Sequence, residues 1–203
     1  MIKAAIVGAT GYTGSELVRL LTHHPEVQVE AITSESKAGQ TFADIHPQYR
    51  GIMEKELIKL ADLRHYEPEV VFLALPHGVS MDFVKEHKDA DFKIVDLSGD
   101  FRLTDAKVYE EWYNKDHVYP EGFTHAVYGL TELNREQIKS AKLVANPGCF
   151  PTGAILGAAP IPNGKMGVPQ TMIVDSKTGV TGAGAHAKPN THFPNVNDNF
   201  KAY

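Results

Sequence analysis

The sequence contains very little cysteine, because only one of its 203 residues, Cys149, is of this type. A single cysteine excludes an internal disulfide framework, and the reducing cytoplasm is where proteins of this kind are most common. We therefore expect a cytoplasmic protein that is stabilised by a hydrophobic core. With 42% hydrophobic and 22% charged residues, the chain has the composition of one large globular domain or two small ones.

An excess of positive charge and a long apolar run are also absent. Twenty basic residues against twenty-five acidic residues give a formal net charge of −5. Nucleic acids and anionic membranes bind basic surfaces, so we expect neither of them as a partner. No apolar run approaches the roughly 18 residues that cross a bilayer. The first residues lead directly into a glycine-rich loop, without the features of a signal peptide.

Short apolar runs alternate with helical patterns along most of the chain. Ile2–Val7 and Val27–Ile32 predict strands, and the leucine spacing after Ser15 predicts a helix between them. Further strands are predicted at Val70–Leu75, Ile94–Leu97 and Leu143–Ala145, and further helices near Val79–His87, Asp105–Tyr113 and Arg135–Ala141. This alternation is typical of a doubly wound, mostly parallel sheet with helices on both faces. We therefore predict an α/β, Rossmann-type nucleotide-binding domain over residues 1–148.

The residues from 149 onward have a different pattern. They predict a helix at 152–159, a strand at 171–175 and an Asn/Pro-rich tail without clear periodicity. A segment of about fifty residues of this kind makes a poor independent core. We predict that residues 149–203 are the incomplete start of a second, α+β domain.

A glycine-rich segment, Gly8-Ala-Thr-Gly-Tyr-Thr-Gly14, lies between the first predicted strand and helix. Glycine permits a tight turn and a close approach of the backbone, and a helix N-terminus offers unpaired N–H groups to a phosphate. We predict a dinucleotide-binding loop, the alternative being a purely structural turn. Its cofactor-binding residues are Gly8, Thr10, Gly11, Tyr12, Thr13 and Gly14.

Short-chain dehydrogenases have the same glycine spacing, but they also need a Tyr-x-x-x-Lys catalytic pair. No tyrosine of this chain is followed by lysine at the fourth position, which argues against a ketoreductase of that type.

The residues after the second strand indicate which dinucleotide binds. A fold that prefers NAD places an acidic side chain there for the ribose 2′-hydroxyl, whereas this chain has Thr33-Ser-Glu-Ser-Lys37. Hydroxyls and a lysine suit a 2′-phosphate, although the adjacent Glu35 argues for NAD. We predict NADP (NADPH) as the cofactor, bound through Ser34, Ser36 and Lys37.

Cys149 occupies an informative position, after a predicted strand and before a predicted helix. Pro151 resembles the first residue of that helix, which would place the thiol near a helix N-terminus, where the dipole favours the thiolate. Doubly wound sheets bind ligands at the carboxyl ends of their strands. A nucleophilic thiol beside a nicotinamide predicts aldehyde chemistry through a thioester. The alternative is a small buried hydrophobic residue.

Five segments, taken together, resemble a known family. They are Gly8-Ala-Thr-Gly-Tyr-Thr-Gly14, Leu75-Pro-His-Gly78, Asp96-Leu-Ser-Gly-Asp-Phe-Arg102, Tyr128-Gly-Leu130 with Glu132, and Asn146-Pro-Gly-Cys-Phe-Pro-Thr152. They occur in this order in N-acetyl-γ-glutamyl-phosphate reductases, the NADPH-dependent enzymes of arginine biosynthesis, and the resemblance covers the whole chain. Aspartate-semialdehyde and glyceraldehyde-phosphate dehydrogenases share the fold and the cysteine, but their cysteine motifs differ.

The resemblance implies a reaction and roles for particular residues. Cys149 would attack N-acetylglutamyl 5-phosphate, and NADPH would reduce the resulting thioester to N-acetylglutamate 5-semialdehyde. Arg102 would hold a substrate phosphate or carboxylate, unless it forms a surface ion pair instead. The other substrate-binding residues would be Asn146 and Gly148. The cofactor would also contact Pro76, His77, Ser98 and Gly182, the alternative for the loop Gly179–Gly184 being a flexible turn. We expect no metal ligands.

The family's acid/base histidine lies in a Gly-His-Arg-His-like motif that these 203 residues do not contain. The nearest candidates, His186 and His192, are predicted to be surface or loop residues. We therefore expect an N-terminal portion of a longer homo-oligomeric enzyme, which would be inactive or unstable by itself.

Two alternatives remain open. One is the related reductase of lysine biosynthesis, whose acyl phosphate is attached to an acidic carrier protein; the net charge of −5 mildly disfavours such a partner. The other is a non-catalytic NADP-binding sensor, for which Cys149 should be buried and unreactive.

Overall fold

The computed structural model describes residues 1–161 and 171–202. The chain divides into two compact units, Met1–Thr152 and Gly153–Tyr203. The strands are β1 (Ile2–Val7), β2 (Val27–Thr33), β3 (Val70–Leu73), β4 (Lys93–Asp96), β5 (Ala126–Tyr128) and β6 (Leu143–Ala145). The α-helices are α1 (Tyr12–Thr22), α2 (Phe42–Ile45), α3 (Ser80–Glu86), α4 (Ala106–Tyr113), α5 (Thr131–Ser140), α6 (Cys149–Ala158) and α7 (Phe193–Val196).

The strands of the first unit form a single parallel sheet in the order β2-β1-β3-β4-β6-β5. The predicted doubly wound α/β fold is therefore confirmed. From β1 the chain moves to one side of the sheet to form β2, and it then returns to form β3 on the other side. This reversal creates a topological switch point between β1 and β3, outside whose carboxyl ends such sheets bind ligands.

The hydrophobic core has two parts, one on each face of the sheet. Side chains alternate along β1, so that Ala4 and Ile6 pack with α1 and α2, whereas Ala5 and Val7 pack with α3 and α4. Both faces are covered, which explains why the central strand β3 is a continuous apolar run, whereas the edge strand β2 alternates with Gln28 and Glu30. The core therefore fixes the strand ends at which the loops of the candidate site begin.

Several boundaries differ from the sequence-based expectations. The helix α1 begins at Tyr12, directly after the glycine loop, and α6 begins at Cys149 rather than after it. The strand β5 was missed because three residues are too few to show a periodic pattern; its partner is β6.

The second unit contains no strand among the residues that the structure describes there, so the strand predicted at 171–175 is wrong. A strand requires a neighbouring backbone to pair with, and these exposed residues have none within the described part of the chain. Short helical segments occur instead at Val180–Ala183, Pro189–Thr191 and Phe193–Val196. Across the described ranges, no helix combines the length and apolar character needed to cross a membrane.

Candidate active site

The glycines of the loop between β1 and α1 are required for different reasons. Gly8 has φ +83°, and a Cβ atom there would collide with the main-chain oxygen of Ala74 at the end of β3. At Gly14 a Cβ would overlap Gly8 and Ala9. At Gly11 it would meet only the oxygen of Gly8, at 3.9 Å. The fold itself therefore requires Gly8 and Gly14, whereas the bare backbone at Gly11 leaves room for a group outside the loop.

The N-terminus of α1 can bind a phosphate. Its first intrahelical hydrogen bond runs from Ser15 N to Gly11 O at 2.8 Å, so the N–H groups of Tyr12, Thr13 and Gly14 precede the helical ladder. No side chain from the described part of the chain caps this end. Unpaired N–H groups and the positive end of the helix dipole together favour an anion. These features fit the pyrophosphate of a dinucleotide.

The end of β2 lies against the glycine loop. The Ala9 N–H donates to the Thr33 carbonyl at 3.0 Å, and the Ser34 and Thr10 hydroxyls are 3.3 Å apart. The structure therefore brings two predicted cofactor residues, Thr10 and Ser34, into contact. Ser34 itself is buried.

The turn after β2 exposes the remaining residues of the predicted 2′-phosphate site. Ser36 and Lys37 are both exposed. The Glu35 carboxylate accepts a hydrogen bond from Leu60 N at 2.9 Å, at the start of a 3₁₀ helix. Because this bond already engages the acidic side chain, Glu35 competes less for a ribose hydroxyl than its sequence position suggests.

The loop after β3 carries Pro76 and His77, and both side chains are exposed. The Nδ1 atom of His77 accepts a hydrogen bond from Gly99 N at 2.6 Å, so the proton of the neutral ring is assigned to Nε2. The protein atoms packed against one side of the ring partly desolvate it and lower the pKa of His77, the nearby charge of Arg102 lowers it further, and Asp100 opposes this shift. The ring therefore stays neutral at physiological pH.

Ser98 lies beneath this loop rather than at its surface. The side chain is buried, and its hydroxyl donates to the Asp96 carboxylate at 2.8 Å. Burial raises the pKa of Asp96, although the hydrogen bonds from Ser98 oppose that rise. The structure thus places Ser98 among buried acidic residues.

Arg102 joins the carboxyl ends of β4 and β6. Its Nε donates to Asn146 O and its Nη2 to Leu97 O, each at 2.7 Å. A Cβ added to Gly148 would lie 3.2 Å from Nη1 of Arg102. The structure therefore groups the three predicted substrate-binding residues, and two of the guanidinium nitrogens already bind main-chain carbonyls.

The tyrosine that ends β5 lies near the same guanidinium. Burial raises the pKa of Tyr128, and the positive charge of Arg102 opposes the rise. Asn134 Nδ2 donates to the main-chain oxygen of Tyr128 at 3.0 Å, which ties the strand end to α5. Tyr128 therefore adds a hydroxyl-bearing ring at this edge of the sheet.

Cys149 is exposed and is the first residue of α6. Thr152 donates from N and from Oγ1 to the Gly148 carbonyl, at 3.0 and 2.8 Å, which fixes the first turn of the helix. The sheet order puts β6 three positions from β1, about 14 Å at the usual strand spacing. The thiol therefore belongs to the same carboxyl edge as the glycine loop, on the first turn of α6.

The remaining candidates lie in the second unit. Gly182 belongs to the 3₁₀ segment Val180–Ala183, and His186 and His192 are exposed. Within residues 1–161 and 171–202, no group of three or more His, Cys, Asp or Glu side chains could hold a metal ion.

The first unit is by these features a Rossmann-type dinucleotide-binding domain with a cysteine at its ligand-binding edge. Residues 3–141 match the family model "Semialdehyde dehydrogenase, NAD binding domain", and residues 149–203 match "Semialdehyde dehydrogenase, dimerisation domain". The chain therefore belongs to the semialdehyde dehydrogenase family.

Within this family, the chain is extensively similar to relatives of one kind. The chain is 48% identical over 202 residues to N-acetyl-γ-glutamyl-phosphate reductase from Methanosphaera stadtmanae, covering all of this chain and 57% of that protein. It is 45% identical over 204 residues to the same enzyme from Halothermothrix orenii, covering 100% of this chain and 59% of that protein. The resemblance drawn from the sequence motifs is confirmed, and the chain spans less than two thirds of these relatives.

Solved structures share the fold at low identity. The structure titled aspartate semialdehyde dehydrogenase with NADP, from Candida albicans, matches with a TM-score of 0.60 and 18% identity, over 82% of this chain and 48% of that chain. The enzyme from Vibrio cholerae matches with a TM-score of 0.56 and 18% identity, over 80% of this chain and 47% of that chain.

Proposed function

We propose that this chain provides the NADP-binding domain and the catalytic cysteine of an N-acetyl-γ-glutamyl-phosphate reductase. The observation that carries the proposal is the exposed Cys149 on the first turn of α6, at the carboxyl edge that also bears the glycine loop. The substrate is N-acetylglutamyl 5-phosphate and the product is N-acetylglutamate 5-semialdehyde, as the names of the relatives suggest.

The cofactor is NADP, held by two parts of the domain. The backbone from Gly11 to Gly14 faces the pyrophosphate, and the exposed Ser36 and Lys37 bind the 2′-phosphate. The hydrogen bond from Leu60 N to Glu35 supports this preference, because it draws the acidic group away from a ribose. When bound, the reduced cofactor supplies the hydride.

The Cys149 thiolate attacks the carbonyl carbon of the acyl phosphate. A carbon–sulfur bond forms, the carbon–oxygen bond to phosphate breaks, and inorganic phosphate leaves with the electron pair. Hydride from the bound cofactor would add to the thioester carbon and give a thiohemiacetal alkoxide on Cys149, whose oxygen would then re-form the carbonyl. The carbon–sulfur bond then breaks, which releases the aldehyde and regenerates the thiolate.

Arg102 contributes positive charge beside the cysteine loop. The two bonds to main-chain oxygens use one N–H each of Nε and Nη2, so the N–H groups of Nη1 and the second N–H of Nη2 would bind the substrate phosphate or carboxylate. The resemblance places the acid/base histidine in a motif that these 203 residues lack, so we assign the proton transfers to no residue of this chain.

The match of residues 149–203 to a dimerisation domain supports a homo-oligomer as the working assembly. The exposure of Cys149 argues against a non-catalytic sensor, in which the thiol would be buried. The relatives' names favour the free acyl phosphate over a carrier-linked one.

The test is an assay of the complete protein in the reverse direction, following NADP reduction with N-acetylglutamate 5-semialdehyde and phosphate. We expect turnover with the wild type and none with Cys149→Ser. A carrier-linked semialdehyde should be inactive. Turnover that survives in Cys149→Ser, or that needs the carrier, would overturn the proposal.

A further inference from the structure

Asp100 is a buried acidic residue to which the reaction assigns no role. Its side chain is completely buried, and the carboxylate accepts hydrogen bonds from Gly78 N at 2.6 Å, Met81 N at 3.0 Å and the Tyr109 hydroxyl at 3.0 Å. These donors belong to the loop after β3, to α3 and to α4. One carboxylate therefore connects three elements below the carboxyl edge of the sheet.

The main chain around Asp100 is held equally firmly. Asp100 N donates to the Ser98 hydroxyl at 3.1 Å, and the main-chain oxygen of Asp100 accepts from His117 Nε2 at 2.9 Å. Between them, Gly99 N donates to His77 Nδ1 at 2.6 Å. The segment from Ser98 to Asp100 thus contacts the loop after β3 twice, through a carboxylate and through an N–H group.

The opposite side of Gly78 is held by α4 and the residues that follow it. Lys115 Nζ donates to the Gly78 carbonyl, and the Tyr113 ring meets His77 edge-on at 5.3 Å. Gly78 has φ +78°, a conformation that favours glycine. Both polar groups of the Gly78 backbone are therefore bound to charged side chains, one acidic and one basic.

This loop forms one wall of the ligand-binding crevice. It follows β3, and the main-chain oxygen of Ala74, just before it, lies against Gly8 of the glycine loop. The β1/β3 switch point lies between these two loops. A shift of Gly78 would therefore change the width of the crevice and the placement of His77.

We propose that Asp100 is a positioning residue of the cofactor site: it holds the loop Pro76–Gly78 against the crevice and, through Gly99, keeps His77 in the tautomer that carries its proton on Nε2. The exposed imidazole is thereby a fixed hydrogen-bond donor for the bound dinucleotide. The inference rests on the proposed NADP-binding function. In it, Asp100 positions the loop that contacts the cofactor without touching the cofactor itself.

A carboxylate suits this role better than an amide. Both oxygens of Asp100 accept, whereas asparagine would present an NH₂ group to a main-chain N–H donor, either that of Gly78 or that of Met81. Asp100→Asn preserves the shape of the side chain and disrupts one of these bonds. The matched control is Asp91→Asn, the same change at an exposed position in the turn before β4, at the opposite end of that strand.

The first measurement is the dissociation constant of NADPH from the complete protein, obtained by titration from the fluorescence of NADPH. We expect binding about tenfold weaker in Asp100→Asn, as for loss of one hydrogen bond to a charged group, and unchanged in Asp91→Asn. If Asp100→Asn does not fold, Tyr109→Phe, which removes one donor of the three, should weaken binding about threefold. Unchanged binding in the folded variant would overturn the inference.

The second measurement reads the His77 tautomer by nitrogen-15 NMR, with the signal assigned by its loss in His77→Phe. The wild type should show the Nε2–H form, and Asp100→Asn a mixture of both forms. Loss of stability alone would leave this ratio unchanged. If the wild type binds no NADPH, the proposed function fails. The tautomer ratio still tests the role of Asp100 in that case, because a pure Nε2–H form in Asp100→Asn would overturn the positioning role.

Discussion

Arg102 donates from Nε to the main-chain oxygen of Asn146 at 2.7 Å, three residues before Cys149. A second bond from Nη2 to Leu97 O, also at 2.7 Å, links the same guanidinium to the end of β4. The arginine thus joins two adjacent strand ends and fixes the turn that presents the thiol. These two hydrogen bonds stabilise the fold at the carboxyl edge of the sheet.

Replacing Arg102 by methionine should destabilise the first unit by about 2 kcal/mol, because two carbonyl groups lose a charged donor in a partly buried setting. Chemical denaturation measures this value. Lysine should restore only part of it, since one ammonium group cannot bridge both oxygens in the same way. Arg135→Met, an exposed change on α5, is the control, and it should stay within about 0.5 kcal/mol of wild type. Equal losses in the two methionine variants would contradict the structural role of Arg102.

Two alanine substitutions in the glycine loop should separate folding from cofactor binding. Gly14→Ala should lower the thermal unfolding temperature, because its Cβ would overlap the backbone of Gly8 and Ala9. Gly11→Ala should cost less than about 1 kcal/mol of stability, because its nearest neighbour is 3.9 Å away, yet it should weaken NADPH binding at least about tenfold. Calorimetry and fluorescence titration check both expectations. Normal NADPH binding by Gly11→Ala would argue against a phosphate beside this backbone.

The choice between NADP and NAD should depend on Lys37. Lys37→Ala should weaken NADP binding about tenfold and leave NAD binding unchanged, because only the former carries the 2′-phosphate. Isothermal titration with both cofactors measures the ratio. Lys55→Ala, which removes another exposed lysine, is the control. Equal effects of Lys37→Ala on both cofactors would place the ribose elsewhere.

His117 should make stability depend on pH. Burial lowers its pKa below the usual 6.5, so the unfolded chain binds the extra proton more readily than the folded one. The stability that the neutral His117 contributes is fully present above pH 6.5, the pKa of histidine in the unfolded chain. It is lost as the pH falls from 6.5 toward the lower pKa of His117 in the folded protein. The pKa of His77 is also lowered, and it therefore changes stability with pH in the same direction as His117. The raised pKa of Asp96 changes stability in the opposite direction. The contribution of His117 is therefore measured by comparing variants with the wild type.

We therefore expect the unfolding free energy of His117→Gln to fall less than that of the wild type between about pH 7.5 and about pH 5. His125→Gln, at an exposed histidine, should behave as the wild type does. Urea denaturation at several pH values measures the difference. Parallel pH profiles for all three proteins would show that His117 titrates normally in the folded state.

The sequence was most informative where a pattern has a direct physical cause. Apolar runs predicted four of the six strands, because strands buried on both faces are apolar, and the alternation of Val27–Ile32 with Gln28 and Glu30 predicted β2. The strand β5 escaped detection because Ala126–Tyr128 is too short to show a period. The strand expected at 171–175 was wrong because apolar composition alone does not provide a pairing partner.

The sequence predicted which residues form the candidate site, but it did not predict the hydrogen bonds between them. The motifs identified Arg102 and Cys149, but no local pattern indicates that the guanidinium binds the oxygens of Leu97 and Asn146. Asp100 was missed as a site residue because its partners, such as Gly78, are about twenty residues away in sequence. The signal that could have found it is an acidic residue in a turn directly after a buried strand.

The central claim is covalent catalysis by Cys149, and intact-mass spectrometry tests it most directly. The complete protein is incubated with N-acetylglutamyl 5-phosphate in the absence of NADPH and quenched in acid, which preserves a thioester. We expect one N-acetylglutamyl group per chain, located on the peptide that contains Cys149, lost on addition of NADPH and absent from Cys149→Ala. An unmodified protein that nevertheless turns over, or an adduct that persists in Cys149→Ala, would contradict the claim.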